Sequence, residues 1–192
     1  LTISLSPTLL SLLNDKELTN RFPEWLHIRL KLLTTLSSEH SSATVHLKKV
    51  IKKQLKSWEK YNGELISRFA ELQKDNVLDI LTCAATHGYL PLLREYPEII
   101  RGQLLTAVKE HQRLIGEYPL GIWLPECAYY EGLDKLMVDS GLRYAVLDGH
   151  GLLNAKPRPR YGLYSPICSK NGVAFFGRDS ESTLPVWSAN EG

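Results

Sequence analysis

Short apolar runs alternate with helical patterns along most of this chain, and that alternation restricts the fold more than any other feature of the sequence. The runs are Thr2 to Leu5, Val77 to Leu81, Leu120 to Leu124, Arg143 to Leu147 and Val173 to Phe176. Each is too short for a helix and carries the β-branched, leucine-rich composition of a buried strand. Between them lie helical stretches, of which Pro97 to Glu117 is a clear case, with Ile99, Ile100, Leu104, Leu105, Val108 and Leu114 at core spacing. Strands separated by helices predict an α/β fold with a parallel sheet or barrel. The polar residues that draw attention share one position in this pattern. Thr86-His87, Glu126, Asp148 with His150, and Arg178-Asp179 each follow a strand. In a parallel barrel those ends meet at one rim, where barrel active sites lie.

The first 75 residues add a different component. After Ser6, an N-cap, and Pro7 at the first helical position, the pattern is helical over Thr8 to Leu13, Asp15 to Leu36 and Thr44 to Leu72. A polar break at Ser37 to Ser42 contains His40, a bend is expected at Pro23, and Asn62-Gly63 interrupts the longest stretch. Residues 7–75 therefore read as a helical insertion between two strands. At the other end, residues 152–172 hold Pro157, Pro159, Gly162 and Pro166, with a short strand at Leu163 to Ile167. A loop of this length in a compact domain serves as a lid or a binding loop more often than as a plain connection.

Composition narrows the function classes. The net charge of +2 and the lack of a basic run give no argument for nucleic acid, and Lys48, Lys49, Lys52, Lys53 and Lys56 sit at the spacing of one solvated helix face. No apolar run reaches the length of a membrane span. Cys83, Cys127 and Cys168 are widely separated, without a CxxC pair, which argues against a disulfide scaffold or a zinc knuckle and fits a reducing, cytoplasmic compartment. No GxGxxG or P-loop pattern supports a nucleotide cofactor. The chain opens within a strand pattern and stops after Ala189-Asn190-Glu191-Gly192 without a terminating element, so both ends read as cut.

The richest stretch is Trp123-Leu124-Pro125-Glu126-Cys127-Ala128-Tyr129-Tyr130. Pro125 ends the strand because it has no N–H for the ladder. Glu126 is thereby placed at a carboxyl strand end among Trp123, Tyr129 and Tyr130. Flat rings that cover the C–H faces of a pyranose, with one carboxylate for chemistry, suit a sugar-binding cleft. The plainer reading of Glu126 is an acid favoured by a helix N-terminus. His87 fits either a substrate contact or a turn histidine. Asp148 fits either an orienting acid or an Asp-Gly turn bonded to its own backbone. Cys127 is a poor thiol nucleophile because the adjacent carboxylate raises its pKa. A metal site from His87, Glu126 and His150 lacks any short-spaced ligand pair.

Several of these stretches resemble glycoside hydrolase family 57. Trp123 to Tyr129 resembles its third signature motif, and Leu81 to Leu92, with Thr-Cys-Ala-Ala-Thr-His-Gly, resembles the second motif region of its α-1,4-glucan branching enzymes. Leu1 to Leu10 looks like the second barrel strand and the helix after it, and Val186 to Gly192 like a segment following the lid region. The resemblance implies an incomplete (β/α)7 barrel, a retaining double displacement on α-1,4-glucan, and no metal or organic cofactor. It implies Glu126 as nucleophile and His87 as a contact in the first sugar subsite, with Trp123 and Asp148 as further substrate-binding candidates. The family's first motif matches nothing here, and its acid/base Asp belongs to a motif beyond Gly192. The 192 residues alone are therefore expected to be catalytically silent. The alternatives are an amylase or 4-α-glucanotransferase of the same family, or a glucan-binding module without turnover.

Overall fold

The computed structural model of the protein describes residues 1–36 and 41–188. Most of the polar break containing His40, and the last residues from Ala189, lie outside the described residues. The chain forms two compact units, one of Leu1–Thr8 with Leu78–Gly192 and the other of Leu9–Val77.

The first unit is built on a six-stranded sheet in the order β1-β2-β3-β4-β6-β5. Its strands are β1 (Thr2–Ser4), β2 (Asp79–Cys83), β3 (Gly121–Trp123), β4 (Tyr144–Asp148), β5 (Ile167–Cys168) and β6 (Ala174–Arg178). From β1 to β6 every pairing is parallel, as the alternation predicts. The sheet is open and mixed, because β5 runs antiparallel to β6. The link between these two strands is a tight turn closed by Ser169 N–H to Val173 O (2.8 Å), too short for a parallel crossover. Strand β2 starts two residues later than its apolar pattern suggests. Asn76 is left-handed (φ 56°) and the Val77 N–H returns to Leu72 O (3.0 Å), so both belong to the preceding helix end. At its other end the strand runs two residues beyond Leu81, to include Thr82 and Cys83.

The principal helix of this unit, α5 (Pro97–Ile115), buries Ile100, Leu104, Ala107, Val108, His111 and Ile115. Ile99 and Leu105, expected on the core side, are exposed, since they fall off the stripe that these six residues define. Helix α6 (Leu133–Asp139) is followed by Gly141 at φ 88°, the left-handed exit expected of a C′ glycine. Helix α7 (Gly149–Leu153) has no counterpart in the sequence reading, which placed a turn there. Asp148 caps it by accepting from the His150 N–H. Gly149 is required at its start, because a Cβ would stand 2.6 Å from Arg178 O. Helix α8 (Ser180–Trp187) closes the described chain, capped by Asp179.

The second unit is helical: the bulk of α1 (Pro7–Asn14), then α2 (Lys16–Thr35), α3 (Ser41–Lys60) and α4 (Leu65–Lys74). Asp15 caps α2 by accepting from the Glu17 and Leu18 N–H groups, and Pro23 lies inside that helix. The interruption at Asn62-Gly63 is a real break, with φ of 48° and 70°. The Trp58 indole lies 2.7 Å from where a Cβ on Gly63 would be, so only glycine fits. Val45, at helical spacing from the partly buried apolar residues of α3, is 66% exposed.

One buried group on α5 departs from core chemistry. His111 is fully buried, and both ring nitrogens lack a hydrogen-bond partner. Burial pulls its pKa down to about 4, against the opposing pull of the Glu117 and Asp79 carboxylates. The folded protein therefore holds His111 neutral where the unfolded chain binds a proton. Stability is complete above the ordinary histidine value and falls as pH drops from about 6.5 towards 4, by roughly 3 kcal/mol at the limit. Denaturant unfolding between pH 8 and pH 4 measures this. His111→Leu is expected to flatten that part of the profile and to be neutral or stabilising at pH 8, since it removes two unsatisfied atoms.

Candidate active site

The carboxyl ends of β2 and β3 are neighbours, with Cys83 paired to Trp123 in the sheet register. After Trp123, Leu124 leaves the strand and Pro125 opens a single 3-10 turn over Pro125–Cys127. Two consecutive residues of this turn are left-handed, Glu126 at φ 54° and Cys127 at φ 52°. Hydrogen bonds hold them there, from Cys127 N–H to Leu124 O (2.8 Å) and from Ala128 N–H to Pro125 O (3.1 Å). The two side chains have opposite fates. Cys127 is buried, while the Glu126 side chain is 76% exposed at the rim.

The end of β2 is built the same way. His87 is left-handed (φ 54°), and its N–H donates to Ala84 O at 2.9 Å. Gln103 on α5 braces the loop. Its backbone carbonyl accepts from Ala85 N–H, its side-chain oxygen accepts from Thr86 N–H (2.9 Å), and its amide donates to the Thr86 hydroxyl (2.8 Å). The His87 ring is gripped on one side by Cys83, whose Sγ lies 3.0 Å from Nδ1. On the other side Nε2 faces Glu126 Oε1 at 3.8 Å, within ion-pair range but beyond a hydrogen bond. Neither Gln103 nor the Cys83 contact had a signal in the sequence, because each depends on which element lies beside the loop.

Asp148 sits at the end of β4 with both carboxylate oxygens engaged. One accepts from the His150 backbone N–H and from the His150 ring (2.7 Å), the other from the Arg178 guanidinium (2.7 Å). These bonds, with the His150 contacts foremost and Arg178 adding to them, hold its carboxyl below the usual range despite partial burial. Asp148 bonds its own backbone two residues on, as the plainer reading expects, but as the cap of a helix rather than within an Asp-Gly turn. The Cys127 thiol is pushed up, chiefly by burial and partly by Asp148 and Glu126, against the opposing pull of Arg178. A buried, protonated thiol is no nucleophile. Trp123 is half-buried at the last position of β3. Tyr129 is turned to the core, edge-on to Phe175 (4.9 Å), with its hydroxyl donating to Asp134 (3.3 Å). Among the described residues no group of three or more His, Cys, Asp or Glu could hold a metal ion, and no helix is long and apolar enough to cross a membrane.

The sequence profile of Glycosyl hydrolase family 57 matches residues 8–183. The chain belongs to glycosyl hydrolase family 57. It is 30% identical, over 100% of its length, to the 1,4-alpha-glucan branching enzyme TK1436 of Thermococcus kodakarensis, and spans 33% of that protein. Among solved structures it resembles the alpha-amylase AmyC of Thermotoga maritima (TM-score 0.89, 33% identity, covering 100% of this chain and 38% of that one). It also resembles the family 57 branching enzyme of Pyrococcus horikoshii (TM-score 0.85, 28% identity, covering 97% and 38%). The open sheet is the corresponding part of the family's (β/α)7 barrel.

Left-handed backbone costs about 1–2 kcal/mol for a residue with a Cβ. A Glu126→Gly protein is therefore expected to be more stable by about 1 kcal/mol. Denaturant titration of the two proteins side by side checks this, and an unchanged or lower midpoint would show that the turn at Glu126 is unstrained.

Proposed function

We propose that the chain is the nucleophile-bearing part of an α-1,4-glucan branching enzyme. The observation that carries the reading is the placement of Glu126, an exposed carboxylate raised on left-handed backbone at a strand end, with His87 Nε2 facing it at 3.8 Å. Glu126 attacks the anomeric carbon of an α-1,4-linked glucose. The bond to the leaving O4 breaks, and O4 takes a proton from a second carboxylic acid. A glucan 6-hydroxyl then attacks the glycosyl-enzyme carbon and gives its proton to that same carboxylate, which releases Glu126 and forms an α-1,6 branch. Two inversions retain configuration, and the step needs no metal or organic cofactor.

The second carboxyl must lie about 5–5.5 Å from the first and be protonated when it acts. Asp148 does not fit, because its hydrogen bonds keep it ionised at neutral pH. We assign that role to a residue beyond these 192, which would leave the isolated piece inactive. His87 donates to a sugar hydroxyl in the subsite at the nucleophile, Trp123 offers a ring face, and Asp148 acts on substrate through the His150 and Arg178 donors it holds. The segment of residues 152–172 serves as a lid, with the fully exposed Tyr164 available to an acceptor glucan. Free, unpaired Cys83, Cys127 and Cys168 suit a reducing cytoplasmic setting.

The Thr-Cys-Ala-Ala-Thr-His-Gly segment and the identity to the Thermococcus enzyme support branching. The 33% identity to AmyC supports a hydrolytic alternative, and a 4-α-glucanotransferase is the third outcome of the same chemistry. Full-length protein incubated with amylose, then debranched and its released chains counted, separates the three. New α-1,6 ends are expected; shortened chains with new reducing ends, or redistributed chain lengths without branches, would each replace the proposal. Glu126→Gln is expected to lower turnover roughly 10³-fold or more while glucan binding persists. Wild-type protein that binds glucan without turning it over would instead be a binding module.

A further inference from the structure

The histidine at the rim is held from behind by a residue that is almost wholly shielded from solvent. Cys83 is 1% exposed at the last position of β2, and its Sγ lies 3.0 Å from His87 Nδ1. Neutral imidazole carries one proton, on one nitrogen or the other, and the neighbours of the ring decide which. Burial pushes the Cys83 thiol up to about 11, so at neutral pH it keeps its S–H. An S–H can donate to Nδ1 only if Nδ1 is bare. The opposite face of the ring asks for the same arrangement, because a bare Nε2 would set its lone pair against the Glu126 carboxylate 3.8 Å away.

We propose that Cys83 is a positioning residue that fixes His87 as the Nε2–H tautomer, with the proton aimed at the space beside Glu126. The backbone explains why an anchor is needed. His87 leaves the strand through left-handed φ, and the described bonds of its loop, from Gln103 and to Ala84 O, reach main-chain atoms and Thr86 but not the imidazole. Cys83 therefore sets the ring itself. The result is a donor, rather than an acceptor, at the position where a bound sugar hydroxyl or the glycosyl oxygen would sit. That catalytic consequence rests on the glucan reading above; the tautomer does not.

The test uses full-length protein with ¹⁵N-labelled histidine, the His87 signals being assigned by their loss in His87→Gln. Long-range ¹H–¹⁵N correlations above pH 7.5 report the tautomer directly. Wild type is expected to show the Nε2–H form. Cys83→Ser, which keeps a donor, should retain that form and hold kcat/KM within about threefold. Cys83→Ala should give mixed tautomers and a kcat/KM lower by about tenfold, the scale of one lost hydrogen bond. An Nδ1–H form in wild type, or an unchanged tautomer in Cys83→Ala, overturns the proposal. Should wild type show no activity on glucans, the function reading fails, and the tautomer spectra still decide the role of Cys83 without it.

Discussion

A parallel strand that simply continued would carry its side chains alternately into the two faces of the sheet, and neither face is the rim. Lifting one chosen side chain out of the sheet end requires an abrupt change of backbone direction, and for an L-residue the sharp left-handed turn is sterically penalised. The structure accepts that penalty at Glu126, Cys127 and His87. What holds the chain there is a set of short hydrogen bonds to Leu124, Pro125 and Ala84 carbonyls. Cys127 adds a buried side chain on the inner side of the turn. Asn62 and Asn76 are left-handed too, but asparagine tolerates that region and both sit at helix ends. Histidine shares some of that tolerance; Glu126 and Cys127 do not, and both lie at the rim, where strain tends to be retained for function.

The rim is also divided electrostatically. Asp148 is surrounded by donors and stays ionised, whereas Glu126 stands in the open with one imidazole beside it. Two carboxylates at neighbouring strand ends thus have opposite surroundings: one is bound into a network with His150 and Arg178, the other is 76% exposed with the His87 ring beside it.

Much of this was legible before any coordinates. Strand and helix order follows from short apolar runs set against the longer helical period, and the position of Glu126 follows from Pro125. The breaks at Gly63 and Gly141 were readable because only glycine suits those dihedrals. What escaped was everything decided by neighbours distant in sequence. Helix α7 depends on Asp148 capping a segment whose glycines read as a turn. The antiparallel β5 depends on a five-residue link, residues 169–173, that follows a proline-rich stretch. Val45 belongs to an apolar period on its own helix, yet it is exposed. Gln103 looks like any polar residue on a helix until the loop of β2 is laid against it.

The relation between His87 and Glu126 does not require a closed barrel. It is set inside one βαβ unit, in which β2 and β3 are hydrogen-bonded neighbours in register at Cys83 and Trp123, and α5 supplies Gln103 to the loop between them. Each strand end then needs only its own left-handed exit to bring the two side chains to 3.8 Å. Two side chains at adjacent strand ends can therefore be preorganised by local pairing alone, without help from any strand further round the sheet.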